Sequence, residues 1–203
     1  MNQSLTGWGG TGASTARVAR PGDVEALREE LRSAGDRGVI TRGLGRSYGD
    51  PAQNAGGTVL DLTEWDTILD VDTRAPSVRV QAGISLDRLL RALLPLGLWL
   101  PVVPGTRQVT VGGAIAADVH GKNHHVDGSF GDHVSQLDIA LASGDVVSAT
   151  PGGENAELFW ATVGGMGLTG VVLEATIELK EVETSYFVVD TERTRNLAEM
   201  LTA

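Results

Sequence analysis

All four histidines of the chain fall within fourteen residues, in the segment Asp118-Val-His-Gly-Lys-Asn-His-His-Val-Asp-Gly-Ser-Phe-Gly-Asp-His133. Imidazole, ammonium, amide and carboxylate groups are interleaved there with Gly121, Gly128 and Gly131, so the backbone can turn tightly and admit a ligand closely. Such a set can move protons. His120 and His124, four apart with carboxylates near, could also hold a metal. Gly121 weakens a helix at that place and no glutamate occupies a metalloprotease position, so no metal is expected. For an isolated histidine, a solvated polar loop is the plain alternative.

Three further glycine loops accompany this segment. Arg42-Gly-Leu-Gly-Arg-Ser-Tyr-Gly-Asp50 follows a strand-like run, and consecutive N–H groups in such a loop can form an anion nest. Arg46 and Ser47 would add charge and a donor for phosphate. The loop does not suit a Rossmann turn, because Pro51-Ala-Gln-Asn-Ala-Gly-Gly57 stays irregular where that fingerprint starts a helix. It lacks the Gly-Lys-Ser/Thr of a P-loop as well. The others are Pro104-Gly-Thr-Arg-Gln-Val-Thr-Val-Gly-Gly113 and Gly164-Gly-Met-Gly-Leu-Thr-Gly170. Each alone is an ordinary turn. Together, each beside a predicted strand or helix end, they point to one extended site for a long polar ligand.

The elements that must position these loops are mixed α+β. Asp23 followed by Val24, Leu27 and Leu31 predicts a helix over about 23–34, stopped near Gly35. Strands are expected at 39–41 and 58–62, flanking the first loop. In a second lobe, strands are expected at 68–72 and 78–81, then an amphipathic helix over 85–94 capped by Ser85 and ended by Pro95 and Gly97. Strands at 137–142 and 146–149 flank Ser143-Gly-Asp145 as a hairpin. A helix at 156–163 and a long half-buried alternating strand at 169–180 follow. A helix starts near 193 and simply stops at the last residue, which reads as an incomplete protein. The resulting division is an N-terminal extension (1–14), two subdomains (15–66 and 67–190) and the start of a truncated region (191–203). The four tryptophans, Trp8, Trp65, Trp99 and Trp160, read as core or lobe packing.

The formal charge is −10, and no basic stripe interleaved with aromatics offsets it, so nucleic acid is not an expected partner. There is no cysteine, which excludes disulfides, thiolate metal sites and a cysteine nucleophile. The first residues carry no basic and apolar leader pattern, and the apolar stretch 89–103 is broken by Arg91, Pro95, Gly97 and Pro101. A membrane-bound substrate would therefore be met from the surface. Without a leader pattern the cytoplasmic face is the expected location, with the periplasmic side as the alternative.

The combination of the first loop, Pro104-Gly-Thr-Arg-Gln-Val-Thr-Val-Gly-Gly-Ala-Ile-Ala116 and His120-Gly-Lys-Asn-His-His125 resembles the FAD domain of the decaprenylphosphoryl-β-D-ribose 2′-oxidase family. These are the oxidising subunits of actinobacterial epimerases, within the vanillyl-alcohol-oxidase-like flavoprotein group. The resemblance runs from Leu5-Thr-Gly-Trp8 through Glu157-Leu-Phe-Trp-Ala-Thr-Val-Gly-Gly165 to Thr184-Ser-Tyr-Phe187. It implies a two-lobed α+β FAD-binding domain of the vanillyl-alcohol-oxidase/PCMH type. It also implies oxidation of a polyprenyl-phosphate ribose at the 2′-hydroxyl, the first half of an epimerisation toward the arabinose donor for cell-wall arabinan. An NAD(P)H-dependent reductase would be the partner that returns the 2′-keto sugar.

By the same resemblance, Thr41, Arg42, Gly43, Leu44, Gly45, Arg46, Ser47, Tyr48, Gly49, Asp50 and Pro51 would wrap the FAD pyrophosphate. Gly105, Thr110, Val111, Gly112 and Gly113 would continue along the ribityl and flavin side. His120, Gly121, Lys122 and Asn123 would sit by the isoalloxazine, and Val172 at the adenine end, with Ala117 and Gly167 completing the set. His120 and Lys122 would be catalytic, orienting the sugar or stabilising its alkoxide. Arg46 stands in the part of the first loop where some relatives link a histidine covalently to FAD, so a noncovalent flavin is expected. Ala117 and Met166 depart from the family pattern, which has a cysteine and an asparagine there; the second change removes an amide that could bond the cofactor. A substrate domain and a closing flavin segment with a catalytic lysine would lie beyond Ala203. The chain alone is therefore expected to bind FAD weakly or not at all, and not to turn over. Another sugar or alcohol oxidase on the same fold, or a non-catalytic nucleotide-binding module, are the rival readings.

Overall fold

The computed structural model describes residues 1–202. Its first lobe is a four-stranded sheet in the order β1-β2-β4-β3, built from β1 (Asn2–Thr6), β2 (Ala13–Ala19), β3 (Val39–Arg42) and β4 (Thr58–Asp61). β2 and β3 both run parallel to β4, a pairing that requires a crossover, which α1 (Val24–Arg32) provides. Asp23 caps that helix, its carboxylate accepting the Ala26 N–H at 2.8 Å. β1 pairs antiparallel with β2 in register from Asn2 opposite Arg17 to Thr6 opposite Ala13. Part of the segment read as an extension, Asn2–Thr6, is thus the edge strand of the first sheet. Its short polar strand carries no apolar run to announce it.

The second lobe is a five-stranded antiparallel sheet, β5-β6-β10-β8-β9. Its strands are β5 (Ile68–Asp72), β6 (Ser77–Gln81), β8 (Val134–Ala140), β9 (Val146–Ala149) and β10 (Val171–Glu178). α2 (Leu86–Leu93) packs Leu86, Leu89, Leu90 and Leu93 into the core while Arg88 and Arg91 pair outward with Asp66 and Asp87. Each such leucine contributes about 2 kcal/mol by leaving water. Ser85 caps the helix, and Pro95 with Gly97, the latter at φ 72°, ends it in a 3₁₀ turn. β7 (Leu98–Trp99) then pairs with β11 (Lys180–Glu181). The remaining helices are α3 (Val111–Ala116), α4 (His124–Asp127), α5 (Ala156–Thr162) and α6 (Leu197–Met200).

β10 departs from the alternating, half-buried strand expected at 169–180. Val171, Val172 and Leu173 are all buried, because β10 is central in its sheet and covered on both faces. Val172, Ala175 and Ile177 join the main core with α2 and α3, whereas Val171 and Leu173 join Leu27, Leu60, Leu62 and Trp65 in a second cluster. That second cluster fastens the two lobes, helped by Arg28 donating to the Gly144 carbonyl at 2.9 Å.

The junction is tightest at Gly83, whose N–H donates to the Trp65 carbonyl at 2.9 Å. A Cβ added there would lie 1.8 Å from the Leu62 carbonyl oxygen. Gly83→Ala should therefore cost about 3 kcal/mol of stability, read as a lower urea midpoint with the slope unchanged.

Candidate functional site

Between the lobes, where β3 ends and α3 begins, lies a cavity of about 300 Å³. Its walls come from the segments 41–48 and 109–119, from Ala82-Gly83, and from 162–172. The structure brings together Thr41, Arg42, Gly43, Leu44, Gly45, Arg46, Ser47, Tyr48 and Pro51 from the first loop with Thr110, Gly112, Gly113, Ala117, Gly167 and Val172. The expected residues Gly49, Asp50, Gly105, Val111, His120, Gly121, Lys122 and Asn123 do not line it.

The first loop presents a row of donors. Among the described residues, no backbone N–H from 44 to 50 has a protein acceptor. Three carbonyls of the loop are used by the protein: Trp8 N–H donates to Ser47 at 2.7 Å, Gly9 N–H to Tyr48 at 3.1 Å and Gln53 N–H to Asp50 at 2.9 Å. Gly45 sits at φ 64°, a conformation that suits glycine. Unpaired amides converging on a concave wall are an anion site.

The arginines of this loop do a different job from the one their charge suggests. Arg42 donates to the carbonyls of Ala52 at 3.1 Å and Thr6 at 2.8 Å, bracing both ends of the loop. Burial pulls its guanidinium below the ordinary arginine value, and the nearby Asp61 carboxylate opposes that shift. Arg46 donates to the Gln108 carbonyl at 3.0 Å, and its guanidinium carbon lies 4.4 Å from the centre of the Trp8 ring. Trp8 is consequently an exposed clamp residue, not core, and Trp160 is also half exposed with its ring N–H on the Pro151 carbonyl. Trp65 is buried, donating to Pro21. Both arginines still line the cavity, and no carboxylate does, in a chain with 26 acidic and 16 basic residues. An anion held there meets positive charge on a mostly acidic molecule.

The second loop contains a helix, α3, which its Val-Gly-Gly start conceals. Thr110 caps it, accepting the Gly113 N–H at 3.1 Å. Val111 is fully buried with its N–H on the Ile84 carbonyl, which removes it from the cavity wall. Gly112 and Gly43 are close-approach positions: a Cβ on the first would meet the Ala82 Cβ at 3.2 Å, and one on the second the Thr110 hydroxyl oxygen at 2.2 Å. Residues the sequence did not single out for the site, such as Ala82, Gly83, Val109, Ala116 and Val119, line the same wall. For Gly83 the signal was available, a glycine directly following a strand.

The chain leaves the cavity at Val119 and enters the histidine loop at His120. That loop is closed by Phe130 N–H donating to the Val119 carbonyl at 2.9 Å and by Gly131 N–H donating to the Asp118 carboxylate at 3.0 Å. The Asn123 amide donates to the Pro101 carbonyl at 3.0 Å and also to Asp127, so it is spent on the loop itself. Lys180, with Asn123, holds the Asp127 carboxyl below the usual carboxylate range. Gly121 is buried, its absent side chain making room for the Val103 carbonyl. His120, Lys122, His124 and His125 are exposed, with the His120 and His124 rings edge-on at 5.4 Å. Among the described residues no three histidine, aspartate or glutamate side chains converge as a metal would require.

The family described as FAD binding domain matches residues 15–150. The chain belongs to this FAD-binding family. FAD is accordingly its cofactor, and the residues present fit one: the unpaired amide row and the carboxylate-free wall suit a diphosphate, and the apolar remainder of the cavity suits planar rings. The chain is 54% identical over 200 residues to decaprenylphosphoryl-beta-D-ribose oxidase of Mycolicibacterium smegmatis, an alignment covering 97% of this chain and 44% of that protein. It is 31% identical over 183 residues to alditol oxidase of a Streptomyces species, covering 89% and 43%. It is 33% identical over 112 residues to human delta(24)-sterol reductase, covering 55% and 22%. The chain thus spans less than half the length of these relatives.

Met166 lines the cavity and is held at φ 53°, a left-handed conformation. Its N–H donates to the Ala116 carbonyl at 2.8 Å, which fixes it there. Asparagine tolerates this backbone better than methionine. Met166→Asn should therefore raise stability by about 1 kcal/mol, seen as a higher thermal midpoint without ligand; an unchanged or lower midpoint would rule out strain at this residue.

Proposed function

We propose that this chain is the cofactor-holding domain of a flavoprotein that oxidises the 2′-hydroxyl of a polyprenyl-phosphate ribose, the decaprenylphosphoryl sugar in the first instance. The observation that carries the reading is a cavity walled by the amide row of the first loop and ending at Val119, where the histidine loop begins, on a chain 54% identical to an oxidase of that substrate. The alditol oxidase relative, at 31% identity, supports the same reaction class on a polyol and not this substrate.

Bound FAD supplies the acceptor for the hydride that leaves C2′. The chain supplies position and electrostatics. The amides of 44–48 take up the diphosphate charge, and Arg42 and Arg46 favour it without forming the primary contact. His120 and Lys122 follow directly on the cavity wall and present imidazole and ammonium groups to a sugar. There they orient the 2′-hydroxyl and stabilise the alkoxide that forms as its proton departs. The product is a 2′-keto sugar, and its reduction with inverted configuration calls for a separate NAD(P)H-dependent reductase. No helix among the described residues is long and apolar enough to cross a membrane; a lipid-linked substrate is met at the membrane surface, on the cytoplasmic face.

Anaerobic addition of decaprenylphosphoryl-ribose to the FAD-loaded protein carrying this domain should bleach the flavin absorbance, whereas xylitol and free ribose should not. Bleaching by the alditol and not by the lipid sugar would transfer the reading to a polyol oxidase. In the same assay Lys122→Met should slow bleaching by about 100-fold with the flavin still bound.

A further inference from the structure

The residues matched by the FAD-binding family begin at 15, yet the loop that carries the amide row is gripped by residues 6–9. We infer that the segment Thr6-Gly-Trp-Gly9 is a positioning strap for diphosphate binding: by taking the outward carbonyls of the first loop, it turns that loop's N–H groups toward the cavity. The inference rests on the flavin reading of the cavity and assigns a role to a segment outside the matched family.

A peptide loop carries as many carbonyls as amides, and an anion site needs the amides inward and the carbonyls satisfied elsewhere. Two backbone contacts take carbonyls of the loop in this way, and two arginines hold the strap against it. Trp8 N–H donates to the Ser47 carbonyl and Gly9 N–H to the Tyr48 carbonyl, at 2.7 and 3.1 Å. Arg42 reaches out from the base of the loop to the Thr6 carbonyl at 2.8 Å. The Arg46 guanidinium lies on the Trp8 ring while its Nε holds the Gln108 carbonyl, so one side chain ties strap, first loop and second loop together.

The strap also explains its own glycines. A Cβ at Gly7 would fall 1.9 Å from the Gly49 carbonyl oxygen, and one at Gly9 would fall 2.8 Å from that of Tyr48. Backbone lies on backbone, and only Trp8 between them carries a side chain, exposed at 60% yet placed over a cation. As a stacked partner it freezes Arg46, whose free rotamers would release the loop.

The test compares ADP, which carries the diphosphate, with adenosine, which lacks it, by calorimetric titration of the 203-residue chain. The unaltered chain should bind ADP at least tenfold more tightly than adenosine. Gly7→Ala and Trp8→Ala should each lower ADP affinity about tenfold and leave adenosine affinity unchanged, and Trp8→Phe, which keeps a ring over Arg46, should restore most of the loss. Adenosine affinity and circular dichroism report whether a variant is folded; if Gly7→Ala is not, Trp8→Ala, which removes only an exposed ring, carries the comparison. A preference for ADP that survives Trp8→Ala overturns the strap. Equal binding of ADP and adenosine by the unaltered chain overturns the diphosphate site and the strap with it.

Discussion

The structure depends on one asymmetry in hydrogen bonding: in the loop after β3 the carbonyls of Ser47, Tyr48 and Asp50 accept from protein, whereas none of the amides from 44 to 50 donates to it. Leaving the N–H groups of 44–47 without a protein partner is costly, because these residues are only partly exposed, whereas 48–50 are open to water. It persists because the surrounding contacts fix the loop from outside. Arg42 spans from Thr6 to Ala52, and Thr110 occupies the space that Gly43 leaves empty. The lobes are locked at Gly83 and through the cluster around Leu60 and Leu173, so the second wall of the cavity cannot drift from the first. A dinucleotide site built this way uses backbone dipoles for the charge and keeps side-chain cations as braces.

That division of labour resolves an apparent conflict in the charge. A chain of net −10 is a poor host for a diphosphate on average. Locally, the cavity wall has two arginines and no carboxylate among the described residues. Two acidic residues next in sequence to the wall are themselves engaged: Asp61 with Arg20 and Thr63, and Asp118 with the Gly131 N–H. Screening by solvent weakens distant repulsion far more than it weakens contacts inside the cleft.

Much of this was legible in the sequence. Asp23 and Ser85 announce their helices through short-range capping, and the spacing of Leu86, Leu89, Leu90 and Leu93 gives the buried face. The glycines of the first loop mark a backbone that approaches a ligand. What stayed hidden is set by long-range contacts. α3 begins Val-Gly-Gly, a weak helix former, and forms because Thr110 caps it and Val111 and Ile115 enter the core. Arg42 reads as a phosphate ligand until the carbonyls of Thr6 and Ala52 are seen around it. Trp8 reads as core until Arg46, thirty-eight positions on, is placed under its ring. Asn123 has the chemistry of a flavin contact, but its amide is committed to Pro101 and Asp127.

The central claim is that the bare amides of the first loop receive a diphosphate. The direct measurement is a titration of the ¹⁵N-labelled chain with inorganic pyrophosphate, following backbone amide resonances. The account predicts saturable downfield shifts concentrated in residues 44–50, with the amides of 120–125 unmoved. Shifts centred on the histidine loop, with the first loop unchanged, would contradict it.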